Sequence, residues 1–227
     1  MTPKQKAWIE RRRAEGALAP AEPAPVPKKA APVRLPAWPD AVRAVPNGVL
    51  RSALFGAIGR GPRRYIAGED IAAIDGVTIR YKGERLDQAD LDVWATILHL
   101  ARSQDLVDEC RITSYALLQI LGKTDTGSNR KVLETRIERL VATSLTIKQG
   151  EGCYMGSLVR NAKRGSAQEW VIKLELEIVA LFAASAFTQL DWSVRQSLTG
   201  QPLAQWLAGF YASHAKPFPM KVETLHK

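Results

Sequence analysis

At 227 residues the chain exceeds one average domain, so one large domain or two small ones could each bury a sizeable core. Lysine and arginine number 32 against 23 aspartates and glutamates, giving +9 and a pI near 9.7, which points toward a polyanionic partner. Two cysteines exclude a disulfide framework, three scattered histidines without a metal-ligand spacing argue against structural zinc, and no apolar run approaches the roughly 18 residues of a membrane span.

The charge is uneven. Residues 1 to 36 hold eight basic and three acidic side chains, leaving 24 and 20 for everything after them. This first segment has a short basic piece with Trp8, Ile9 and Arg11-Arg12-Arg13, then an Ala/Pro tract that cannot form a core, and reads as a disordered arm. It lacks the apolar stretch of a secretory signal, so a cytoplasmic setting is expected. From 35 to 55 several large apolar residues occur without a sustained period, as in an irregular lead-in on a domain surface. Gly56, Gly59 and Gly61 follow no buried strand and precede no helix, so they do not match a dinucleotide-binding loop.

Runs at 71 to 74 and 77 to 81, separated by Asp75-Gly76, predict a β-hairpin. Leu91, Trp94, Ile97, Leu98 and Ala101 then fall at helical spacing after Asp87, a plausible N-cap; His99 reads as a flank or core residue. Arg111-Ile112 suggests a short strand, and Thr113 opens a second helix through Leu117, Leu118 and Leu121, stopped by Gly122. After a polar turn, Ser128 or Asn129 is expected to cap a third helix, with Val132, Leu133, Ile137, Leu140 and Val141 inward. β-type runs follow at 145 to 148, 154 to 160 and 169 to 176, the last two joined by a basic loop from Asn161 to Ser166. Residues 178 to 187 continue apolar, and a helical stretch from 193 to 214 carries Leu203, Trp206, Leu207, Phe210 and Tyr211 on one face.

Helix, short strand, helix, turn, helix and a hairpin with a basic tip is the winged helix-turn-helix plan, in which a helix fits the major groove and the hairpin reaches the backbone beside it. Between Lys123 and Arg164 there are nine basic residues and four acidic ones. The expected DNA-binding residues are Ser128, Asn129, Arg130, Lys131, Arg136, Arg139, Lys148, Arg160, Lys163 and Arg164. Gly122-Lys123-Thr124 resembles the end of a phosphate-binding loop, but position 117 is Leu where that motif needs glycine. No His-x-His pair supports a nicking nuclease. No catalytic residue, metal or cofactor is expected.

Further residues resemble the TrfA family of plasmid replication initiators: Trp38-Pro39-Asp40 with Arg43 and Pro46-Asn47; Arg51 to Phe55; Glu177-Ile178-Val179 with Leu181-Phe182-Ala183; Trp192 with Arg195; Ser213-His214; then Pro217, Pro219, Lys221 and Glu223-Thr224. The resemblance runs in order over roughly 36 to 225 and is weaker in the middle. It implies two related winged-helix domains that bind repeated double-stranded origin DNA, help melt an AT-rich region, and recruit the host helicase with DnaA; members limit copy number by dimerising or pairing origins. The sliding-clamp peptide some members carry, of Gln-Leu-x-Leu-Phe type, has no counterpart at Ala30 to Pro36, which counts against clamp contact. The expected fold is therefore α+β: an arm (1–36), a lead-in with a first winged-helix domain (37–185), and the start of a second (186–227), incomplete through truncation or natural shortening. A winged-helix repressor, needing no helicase or DnaA, is the competing reading.

Overall fold

The computed structural model describes residues 35–221 except 60, 75, 105–107, 150–151, 167–168, 183–185, 218 and 220, together with 3, 4 and 6. Nearly all of the basic arm, Asp75 of the expected hairpin turn and the stretch after Lys221 lie outside the described residues. The described residues from Leu35 onward form one compact unit. No helix among the described residues is long and apolar enough to cross a membrane.

The fold is mixed α and β, with antiparallel sheets gathered around one helix. β1 (Val42–Pro46) leads into a single helical turn, α1 (Asn47–Leu50), and a two-residue strand, β2 (Phe55–Gly56). β3 (Tyr65–Ile71) and β4 (Val77–Glu84) form a hairpin, and β5 (Leu86–Asp87) runs parallel to β2 and into α2 (Gln88–Ser103). β6 (Glu109–Thr113), α3 (Ser114–Ile120) and α4 (Gly127–Val141) follow, then β7 (Ser144–Gln149), β8 (Gly152–Gly156), β9 (Asn161–Arg164) and β10 (Glu169–Lys173). A 3-10 helix (Leu176–Phe182), β11 (Phe187–Asp191), α5 (Trp192–Ser197) and α6 (Pro202–Ala212) complete the described elements. One sheet has the order β6-β10-β9, a second β3-β4-β7-β8, and β1 pairs with β11.

α2 is the centre because it is buried almost all round, its polar residues included. Leu91, Trp94, Ile97, Leu98 and Ala101 are buried as their spacing predicts, and Val93, Ala95, Thr96 and His99 are buried too. Asp87 caps it in a reciprocal capping box: its carboxylate accepts from the Asp90 amide at 2.8 Å, and Asp90 accepts from the Asp87 amide at 3.0 Å.

Several expectations are corrected. The 35–55 lead-in is not an irregular surface segment, since Trp38, Ala44, Val45, Val49, Leu50, Leu54 and Phe55 all enter the core. β1 is covered on both sides, so no alternation marks it. The hairpin's first strand begins at Tyr65, before the expected 71–74 run, because Ala72 and Ile74 give their backbone groups to Ala53 and Arg51 instead of the ladder. The basic stretch after Asn161 is a strand, β9, on the sheet edge, where charged side chains are tolerated. Leu203, expected on a packed face, is 59% exposed.

His99 is a core residue that accepts a hydrogen bond at Nδ1 from the Trp38 indole N–H at 3.0 Å. Protonating that nitrogen would set two donors against each other, and burial, with Arg43 and Arg102 nearby, pulls its pKa down to about 4. The folded state therefore resists a proton that the unfolded chain accepts near pH 6.5. Stability should be full above that pH and fall as the pH drops toward 4, by about 2 kcal/mol. Denaturant melts of wild type and His99→Gln across pH 7 to 4.5 check this: the wild type should lose more on acidification than the variant.

Candidate nucleic-acid interface

α3 and α4 are joined by a turn that the local sequence fully specifies. Thr113 caps α3 through the Ala116 amide at 3.1 Å. At its other end Gly122 takes φ +66°, a left-handed conformation that glycine adopts without strain, and the Lys123 amide reaches back to the Leu118 carbonyl at 2.8 Å. Thr126, and not Ser128 or Asn129, caps α4, by accepting from the Asn129 amide at 3.2 Å. The helix starts one residue ahead of Ser128, which leaves the Asn129 side chain free to donate to the Thr124 carbonyl at 2.8 Å. Arg130 closes the same turn with Asp125, its Nε 2.6 Å from Oδ1, and this bond holds the Asp125 carboxyl below its ordinary value.

α4 presents three kinds of face. Leu133, Ile137 and Leu140 are buried as expected, whereas Val132 is 48% exposed, one helical step off that stripe. Ser128, Lys131, Thr135 and Glu138 are exposed. Arg136 and Arg139, expected among the DNA-binding residues, turn instead toward the first turn of α2. Arg136 Nη1 lies 2.7 Å from Asp90 Oδ1 and 2.8 Å from Asp87 Oδ1. Arg139 Nη1 lies 2.8 Å from Asp90, and its Nε 3.0 Å from Glu84. Arg63 pairs with Asp87 from a third direction. Burial raises the Asp87 pKa, but Arg136, the Asp90 amide and Arg63 outweigh it and hold that carboxyl below its ordinary value. Burial and the neighbouring Asp87 push Asp90 up, against the pull of both arginines.

The β9–β10 hairpin stands against α4. Arg164 Nη1 is 2.8 Å from Glu134 Oε2 on α4, and its guanidinium lies over the Trp170 ring at 5.5 Å. Trp170 in turn donates to Ser114 Oγ at 3.0 Å, which anchors the hairpin to the start of α3. Lys163 and Arg164 are exposed at the strand end nearest the 165–168 connection. Arg160 stands at the other end of β9, held by Glu175 at 3.0 Å with Asp108 at 3.7 Å. Lys148 is exposed on β7, in the other sheet. The structure thus joins Arg164 to α4 at Glu134, one turn beyond Lys131, places Ser128, Asn129, Arg130 and Lys131 at the start of that helix, and puts Arg160 and Lys148 in other contacts.

Sequence reasoning missed Trp170 and Ser114 as the hairpin's anchors, and Thr135 as an exposed polar residue one turn beyond Lys131. It also missed the acidic partners on α2. Asp87 reads as a capping residue, which it is, and Asp90 completes the capping box; nothing local signals that they also receive arginines 46 and 49 positions away.

The family model described as TrfA protein matches residues 30–227. The chain is similar to the plasmid replication initiator protein TrfA of Escherichia coli, 31% identical over 200 residues that make up 82% of this chain and 51% of the relative. It therefore spans about half the length of that relative. Among solved structures it is similar to domains 2 and 3 of RctB, at 13% identity and a TM-score of 0.49, over 75% of this chain and 70% of the other. A second crystal structure of RctB domains 2–3 gives 13% identity and a TM-score of 0.41, over 61% and 60%.

Proposed function

Because the chain belongs to the TrfA family, we propose that it is a plasmid replication initiator which reads repeated origin DNA through a winged helix-turn-helix built from α2, β6, α3, α4 and the β9–β10 hairpin. The observation that carries the reading is the pairing of α4 with that hairpin through Glu134 and Arg164, so that an exposed helix face and an exposed basic strand end belong to one surface. α4, with 15 residues, is about 22 Å long, a length suited to the major groove. Ser128 and Lys131 at its start, with Thr135, face the bases and flanking phosphates. Lys163 and Arg164 hold the backbone beside them, as the hairpin of such a domain does. Asn129 and Arg130 shape the turn that feeds the helix, and Arg130 remains within reach of a phosphate.

The proposed action needs binding energy alone. Contacts fix the site, bound copies deform the duplex, and the new contacts offset the deformation and open an AT-rich neighbour. No cofactor or catalytic group enters. Recruitment of the host helicase with DnaA, homodimerisation that limits copy number, and a cytoplasmic location complete the proposal on family grounds.

Titrating the chain against a duplex from its replicon's origin and a scrambled duplex of equal length, at two salt concentrations, tests the reading. The expected result is tighter binding to the origin duplex by 1000-fold or so, with a steep salt dependence in both cases. Equal affinity for the two duplexes would remove the claim of sequence reading, and permanganate reactivity confined to an AT-rich segment would support melting.

A further inference from the structure

We infer that Arg136 and Arg139 are positioning residues, which fix the pose of α4 by gripping the first turn of α2 and are not themselves DNA contacts. The inference rests on the reading of α4 as the DNA-facing helix. Asp90 is the centre of the grip. Its carboxylate has no exposure, and its two oxygens receive Arg136 at 2.7 Å and Arg139 at 2.8 and 3.0 Å. The two arginine side chains are 20% and 10% exposed, against 34% for Arg164 and 40% for Arg130. Arg136 Nη1 also donates to Asp87 and Arg139 Nε to Glu84, so that moving either guanidinium to a phosphate would strip the buried Asp90 carboxylate of one of its two cations.

The geometry explains why charge is placed there at all. Leu133, Ile137 and Leu140 hold α4 on the core by a contact that has no preferred direction, so the helix could roll or slide with little loss. Guanidinium–carboxylate pairs are directional. Two of them, three residues apart on α4 and sharing one acceptor at the capped end of α2, lock both roll and slide. A reading helix needs such a lock, because its side chains must meet base edges to within about half an ångström. Buried ion pairs of this kind are best attested as devices for register rather than for stability.

The test compares Arg136→Met, Arg139→Met and Asp90→Asn with Lys131→Ala, each first shown to be folded by its melting curve. Each binds the origin duplex and the scrambled duplex across a salt series. As positioning residues, Arg136 and Arg139 should lower the origin-over-scrambled preference about tenfold when replaced, with the scrambled affinity and the slope of log K against log salt unchanged. Asp90→Asn should show the same loss although it removes a negative charge. Lys131→Ala should instead reduce the slope by about one. A slope reduced by about one for each arginine, with Asp90→Asn binding as well as or better than wild type, would overturn the inference. Should Asp90→Asn not fold, Arg139→Gln, which leaves Arg136 on Asp90, carries the same comparison. If the wild type itself shows no preference, the DNA reading fails separately, and amide exchange decides the grip: faster exchange along α4 in Arg139→Gln than in wild type supports it, and unchanged exchange overturns it.

Discussion

Replacing Lys131 and Lys163 together by glutamate is expected to weaken binding to origin DNA by on the order of 100-fold or more near 0.1 M salt, and to reduce the salt slope by about two. Both lysines are exposed, and among the described residues neither has a carboxylate partner. Each is therefore free to displace a counterion from a phosphate, and a reversed charge there adds repulsion to the lost contact. The arginines around them are differently placed: Arg130 is tied to Asp125, Arg164 to Glu134, and Arg136 and Arg139 to Asp90. The lysines should thus dominate although arginine is the commoner base-reading residue. Lys148→Glu with Arg160→Glu is the matched control, with the same change of net charge at positions away from the surface. Equal weakening by both double variants would mean that only net charge is sensed and that no local surface exists.

How much of this could be read from the sequence depended on whether a residue's partner was near in the chain. The α2 to α4 succession was legible because helices carry their own period and their own punctuation: Asp87, Thr113 and Gly122 act within four residues, and each does what its type predicts. Charge was legible only as an amount. That nine basic residues lie between Lys123 and Arg164 says nothing of which carboxylates they meet, and Asp87 and Asp90, far upstream, redirect two of them into the interior. The hairpin was placed one element out for a related reason. β9 has two half-buried and two exposed residues, a pattern too weak to register as a strand until Trp170 to Lys173 pair with it. β1 failed to show because its ladder partner, β11, lies some 145 residues away and because its residues are buried without alternation.

The same long-range logic gives the second large expectation, at Arg195. Its side chain is 4% exposed and its Nε lies 2.6 Å from Asp92 on α2, while its other nitrogens donate to the Gln88 carbonyl and side chain and to the Gln205 carbonyl on α6. One guanidinium thus joins α5, α6 and α2. Around it Arg43 lies over the Trp192 ring at 4.9 Å, Gln196 donates to the last carbonyl of α3 at 2.9 Å, and Arg51 donates to Ser213 Oγ at 3.1 Å. Trp192, Arg195, Arg43, Arg51 and Ser213, all among the residues that carry the resemblance to the TrfA family, are engaged in these contacts. Arg195→Met should destabilise the chain by about 3 to 5 kcal/mol at pH 7, because it leaves the Asp92 carboxylate buried without its cation. Burial already raises the Asp92 pKa, with Arg195 as the main opposing pull. Removing that pull raises the pKa further, so in the variant the folded state holds a proton that the unfolded chain has released, and stability falls as pH rises through the new value. Relative to wild type, the variant should therefore recover part of its deficit between pH 7 and pH 5, and Asp92→Leu in the same background should recover most of it at both. Urea denaturation of the three proteins at the two pH values reads the effect directly. A deficit under about 1 kcal/mol, or one unaffected by Asp92→Leu, would mean that α5 and α6 are held on α2 by apolar packing and that the buried pair contributes only incidentally.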